Sequence, residues 1–115
     1  MELTAQFIDR TNVIFNPDRF EEYIRPDIYL PLEVRFPRAG DRFCPLGLSG
    51  EKKLSDFFID EKVPRSSRKS CPIVVSEGNI VWVVGYRLDD RFKLRDEDKR
   101  AIRLFARQVN LNGGQ

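Results

Sequence analysis

The side chains with chemistry to offer are cations, gathered in the middle of the chain. Arg42, Lys52, Lys53, Lys62, Arg65, Arg68 and Lys69 crowd around one short predicted helix and its two flanking loops, and Arg87 follows a later strand. Such a set could neutralise phosphate oxygens. Spread over loops as well as a helix, with no single helix carrying a reading face, it suits backbone contact and shape recognition rather than base readout. Phe43 and Tyr86 stand among or near these cations, where a ring can stack or meet a cation over its face. Core burial is the stronger expectation for Phe43, Phe57 and Phe58, while Tyr86 fits either role. A charge run is more often a solvated face than a binding site, so charge alone leaves that plainer alternative ahead.

The distribution of charge sharpens the picture. Residues 1–34 carry a net −4, residues 35–69 a net +4 and residues 70–115 a net +2. The middle of the chain is the basic part, as expected of a nucleic-acid footprint.

Enzymatic chemistry finds little support. The chain has no histidine, which removes the commonest general base, metal ligand and nucleophile partner. Cys44 and Cys71 are far apart and without histidine, so they read as reduced, buried thiols rather than a zinc site or disulfide framework. Gly47-Leu48-Ser49-Gly50 is too short for a phosphate loop and lacks a preceding strand. Asp89-Asp90 is an adjacent acid pair whose members point to opposite faces of a strand, and it reads as a solvated turn beside Arg87 and Arg91. No catalytic, cofactor-binding or metal-binding residue is assigned.

At 115 residues the chain is expected to form one domain with a real core. Its 41% hydrophobic and 33% charged content excludes a disordered chain. No run of 18 apolar residues and no basic-then-apolar leader occur, so a cytoplasmic protein with no membrane association is expected.

The elements that must hold the cations follow from periodicity. Phe7-Ile8 and Val13-Ile14-Phe15 read as short strands about a turn at residues 9–12. Leu30, Leu32, Val34 and Phe36 alternate with Pro31, Glu33 and Arg35, the signature of a half-buried strand, in which Pro31 fits an edge or the first strand residue. Leu54, Phe57 and Phe58, with Ile59 at the margin, share one face of a helix of about three turns. Ser49 or Gly50 would cap that helix, Lys62 would complement its dipole and Pro64 would end it. Ile73-Val74-Val75 and Ile80 to Val84 form a hairpin about Ser76-Glu77-Gly78-Asn79, and the second run should be a central strand covered on both faces. The segment near residues 101–109 fits a strand or a helix, and periodicity does not choose.

Several of these stretches share a resemblance. Pro37-Arg38-Ala39-Gly40-Asp41-Arg42-Phe43, Pro45-Leu46-Gly47, Lys52-Lys53-Leu54-Ser55-Asp56-Phe57, Lys62-Val63-Pro64-Arg65, Pro72, Val81 to Arg87 and Asp90-Arg91-Phe92-Lys93 follow in order and with similar spacing. Together they resemble the C-terminal domain of bacterial tRNA(Ile)-lysidine synthetase over roughly residues 30–107. Phe15 to Phe20 is similar to the strand and turn before that domain, although residues 21–29 depart from the family's compact spacing.

The resemblance implies an α+β fold of small packed β-sheets, sandwich-like with mixed strands and one or two short helices, similar to a domain of the phenylalanyl-tRNA synthetase beta chain. It makes the last segment, about residues 100–107, a strand. It divides the chain into an N-terminal strand-and-turn extension (1–29), the lysidine-synthetase-type domain (30–107) and a flexible tail (108–115). It also implies a tRNA-binding role, holding the tRNA body and acceptor stem for ATP-dependent ligation of lysine to the wobble cytidine. That chemistry would belong to an N-terminal catalytic domain with its own phosphate loop. The expected partners are therefore tRNA and that catalytic domain, with ATP a cofactor of the parent enzyme only. Arg42, Lys52, Lys53, Lys62, Arg65, Arg68, Lys69 and Arg87 become the expected tRNA contacts. The alternative is a structural or oligomerisation module that packs on other domains of its parent, with a homodimer as one form.

Overall fold

The computed structural model describes residues 1–15 and 17–108. In chain order the strands are β1 (Glu2–Asp9), β2 (Glu21–Ile24), β3 (Glu33–Arg35), β4 (Arg42–Phe43), β5 (Lys52–Lys53), β6 (Ile73–Ser76), β7 (Asn79–Val83), β8 (Arg87–Leu88) and β9 (Arg100–Arg107). Two helices, α1 (Leu54–Asp60) and α2 (Arg65–Arg68), lie between β5 and β6. The strands form a three-stranded sheet in the order β1-β9-β2, a four-stranded sheet β3-β6-β7-β8 and a two-stranded ribbon β4-β5. Every strand pairing among the described residues is antiparallel. The α+β class and the small packed sheets agree with expectation.

The β6–β7 hairpin is the middle layer and organises two cores. On one side Ile73, Val75, Ile80 and Val83 pack with Phe43, Leu54, Phe57, Phe58 and Val63 from the ribbon, α1 and the turn after it. On the other, Val74, Val81, Trp82 and Val84 pack with Ile24, Ile102, Leu104 and Ala106 of the three-stranded sheet. An all-apolar strand is what such a doubly covered position requires. Strict alternation would put Val81 and Trp82 on opposite faces, yet both serve the second core. The register explains it: Val74 faces Trp82 and Val75 faces Ile80, so Val81 is the extra residue of a bulge. The hairpin turn is two residues, with Glu77 at φ 48° and Gly78 at φ 80°, both left-handed as a type I′ turn demands.

The strand that the resemblance implied at about residues 100–107 is present as β9, the central member of its sheet, with Ala101, Ile102, Leu104 and Ala106 buried; residues 109–115, most of the expected tail, lie outside the described residues. Other elements differ from expectation. The helix expected to start near Ser49 begins at Leu54 and has 7 residues. Its predecessors are used otherwise: Lys52-Lys53 pair with Arg42-Phe43, Lys53 is extended, and the Leu54 N–H donates to the Asp41 carbonyl at 2.9 Å. Residues 13–15 form no strand, because Asp9 caps a 3-10 turn at Arg10–Asn12 that redirects the chain. β2 falls in the stretch 21–29 that sequence spacing marked only as a departure.

The expected strand from Leu30 to Phe36 contracts to β3, at the edge of the four-stranded sheet. Its alternation is real, but part of the apolar face lacks a cover: Leu30, Val34 and Phe36 are exposed. On β1, Leu3, Ala5 and Phe7 stand opposite Ala106, Leu104 and Ile102, residues of the core face. Leu3, Phe7, Leu30 and Leu32 line a cavity of about 350 Å3. The two sheets therefore part at the β1 and β3 edges into an apolar mouth.

Candidate nucleic-acid interface

The ribbon and α1 determine where the cations go. Across an antiparallel pair, opposed residues share a face. Phe43, buried in the core, faces Lys52, and Arg42 faces Lys53. α1 seats Leu54, Phe57 and Phe58 in the core, and Phe43 meets Phe57 edge to face at 5.0 Å between ring centres. The helix ends in a hydrogen-bond pattern that normally carries glycine: Val63 N–H donates to the Phe58 carbonyl at 2.9 Å and Lys62 N–H to that of Ile59 at 3.0 Å. Lys62 occupies the left-handed position at φ 57°. Its backbone thus closes the helix while its ammonium faces solvent.

The expected contacts separate into two groups. Three are held by carboxylates: Arg42 by Glu51 at 2.6 Å, Lys52 by Asp60, and Arg87 by Glu61 at 3.1 Å. Arg87 also donates to the Leu46 carbonyl at 3.0 Å and lies over the Phe57 ring. Among the described residues, Lys53, Lys62, Arg65, Arg68 and Lys69 form no salt bridge. Lys53, Arg68 and Lys69 line one groove of about 570 Å3, whose far wall is the turn Pro37–Asp41. Lys62 and Arg65 lie outside it.

The groove brings in a cation the sequence reading did not select, Arg38. The signal was available, since Arg38 opens a turn in which Gly40 takes φ 86° and the Asp41 side chain accepts from the Arg38 N–H at 2.7 Å. Among the described residues Asp41 is the one acid lining the groove, and it is already engaged: Arg35 grips it through two bonds of 3.0 and 2.9 Å. Burial acts to raise its carboxyl pKa, but the Arg35 guanidinium and the Arg38 N–H outweigh burial and hold it below the usual value. The groove rim therefore keeps its positive charge.

Other residues take settled roles. Tyr86 packs edge to face on Phe58 at 6.3 Å, and the Arg19 guanidinium lies over its ring, so it closes the core rather than offering an open stacking face. Asp89 is not a solvated turn acid. It is 0% exposed and accepts from the Cys44 and Arg91 N–H groups at 2.8 Å each and from the Arg91 guanidinium at 3.0 Å. It pins the loop after β4 to the turn after β8. Burial pushes the Cys71 thiol up to about 11, so it stays protonated and unreactive at neutral pH.

Known proteins share this architecture. The family model described as the TilS substrate C-terminal domain matches residues 32–104. The tRNA(Ile)-lysidine synthase of Caldanaerobacter subterraneus subsp. tengcongensis is 58% identical over 69 residues, which are 60% of this chain and 15% of that protein. That of Clostridium perfringens is 34% identical over 90 residues, 78% of this chain and 19% of the relative. The chain thus spans less than a fifth of the length of these curated relatives. A crystal structure of a TilS C-terminal domain superposes with a TM-score of 0.78 and 31% identity, covering 94% of this chain and 84% of that one.

Proposed function

The chain belongs to the TilS substrate C-terminal domain family, and from that membership we propose that it is the tRNA-binding domain of a tRNA(Ile)-lysidine synthase. In this reading it holds the tRNA body and acceptor stem while a separate N-terminal domain uses ATP to join lysine to the wobble cytidine. The observation that carries the reading is the groove beside α1, where Arg38, Lys53, Arg68 and Lys69 meet without a free carboxylate among the described residues. Cations already held by acids gain less from a phosphate than cations facing solvent. Arg42, Lys52 and Arg87 are therefore the weaker contacts, and Lys62 and Arg65 extend the patch along the surface.

Each phosphate neutralised contributes roughly 0.7–0.9 to the slope of log affinity against log salt. The variant Lys53→Ala/Arg68→Ala/Lys69→Ala should bind tRNA at least tenfold more weakly at low salt and lower that slope by about 2. Lys52→Ala should change affinity much less. Gel-shift titrations at several salt concentrations read both quantities, and unchanged binding by the triple variant would overturn the reading.

A second reading, a module that packs on another domain or on a second copy, is favoured by one observation: the apolar mouth between β1 and β3. Gel filtration and thermal melts with and without tRNA separate the two. A stable dimer whose melting temperature ignores tRNA favours packing.

A further inference from the structure

The groove beside α1 has a shape that phosphate contact alone does not call for. Duplex phosphates can be met by cations on a flat face, and a depression adds nothing to that contact. Here a cavity of about 570 Å3 opens beneath the cations, within the range of roughly 300–1,000 Å3 typical of small-ligand sites. Leu54 and Phe58, each 2% exposed, make its floor. Pro37 and Ala39 make one wall, and Gly40 leaves that wall open, with nothing within 4 Å of where a Cβ would stand. The charge lies around the rim, on Arg38, Lys53, Arg68 and Lys69.

Arg68 is held in place. Its Nε donates to the Val63 carbonyl at 3.0 Å, which fixes the plane of the guanidinium and leaves its terminal N–H groups and flat face free. A fixed guanidinium plane is a stacking surface for a base as well as a phosphate donor. Ser55, on the other lip, adds a hydroxyl that can donate to or accept from a base edge.

We infer that this groove takes the base of one unpaired nucleotide, with the flanking phosphates lying on the cationic rim. The inference rests on the chain being a tRNA-binding domain. A base offers what the cavity lacks: a flat apolar body between phosphates, with a polar edge. A paired base cannot enter, so the RNA must present an unstacked nucleotide from a loop, a bulge or a single-stranded end. An acidic peptide would satisfy the rim but leave the apolar floor uncovered.

Filling the groove without changing its charge tests this. Ser55→Phe, on the exposed lip, should lower the affinity of the full chain for tRNA about tenfold with the salt slope unchanged. Ala39→Leu, from the opposite wall, should act in the same direction and serves if the first variant fails to fold. A single-stranded RNA pentanucleotide should compete with tRNA and shift the backbone amide signals of Ala39, Gly40 and Ser55, while a blunt-ended RNA duplex should compete more weakly, through the rim cations alone, and leave those amides unshifted. The inference falls if the folded groove-filling variants bind tRNA like the original chain. It falls also if the blunt duplex or an acidic peptide competes better than the pentanucleotide. In those cases loss of binding in the Lys53/Arg68/Lys69 variant would still support the tRNA reading, whereas unchanged binding there removes both.

Discussion

At the scale of single residues, the positions that matter most are those that break a local rule. Lys62 adopts a left-handed conformation that costs a residue with a Cβ roughly 1 kcal/mol and costs glycine little. Lys62→Gly should therefore stabilise the domain by up to about 1 kcal/mol in a urea titration while removing one cation from the surface. Asp89 is the converse case, a buried charge fully occupied by donors. Asp89→Ala strands the Cys44 N–H and releases the half-exposed Arg91 guanidinium to water, and should cost about 1–3 kcal/mol in the same measurement. Acid titrates a third group. The Arg95 guanidinium bonded to Asp98 holds that carboxyl below its usual value, and Asp41 is likewise lowered. A carboxyl depressed in the folded state contributes stability that is full above its unfolded pKa, near 4, and is lost as pH falls through the folded value. Thermal melts should thus be level from pH 7 to about 5 and fall below pH 4.

At the scale of elements, the hairpin was readable because its code is local. β-branched runs about a two-residue turn specify both strands, and Glu77-Gly78 takes the left-handed pair. The bulge was not readable, since an all-apolar strand carries no alternation to be broken. Removing Val81 tests it: the deletion takes out the extra residue, restores strict alternation and leaves Trp82 opposite Val74 on its present face. Trp82, 1% exposed, should then keep its blue-shifted emission, while the lost Val81 side chain lowers stability by about 1–3 kcal/mol in a urea titration. The start of α1 lies later than its sequence period implies for a related reason. Lys52 and Lys53 have fair helix propensity, but pairing with Arg42 and Phe43 outcompetes it. The strand character of β9 came from family resemblance, because Ala101, Ile102, Phe105 and Val109 satisfied the helical period too. Of the candidate site, the cluster of cations was legible and its sorting was not. Only folding brings Glu51, Asp60 and Glu61 onto Arg42, Lys52 and Arg87, and only the turn at Gly40 carries Arg38 to the groove.

At the scale of the whole molecule, the two faces of the β6–β7 hairpin divide the labour. One side carries α1, the ribbon and the cationic groove, and the other carries the three-stranded sheet and the apolar mouth. A substitution in the mouth, such as Leu30→Ser at a residue 52% exposed, should leave tRNA affinity within twofold in a gel shift while changing any association seen by gel filtration. The central place of β9 has a further consequence for synthesis. The strand that joins β1 to β2 is the last of the nine to leave the ribosome, with Glu2 waiting to meet Arg107. Until then β1 and β2 have no partner in their own sheet, while the hairpin and α1 can already close over local contacts. A chain stalled after residue 99 should accordingly protect the amides of β6 and β7 from hydrogen exchange but not those of β1. The nascent domain offers its cationic half first, and the sheet that seals its other face arrives only with the final strand.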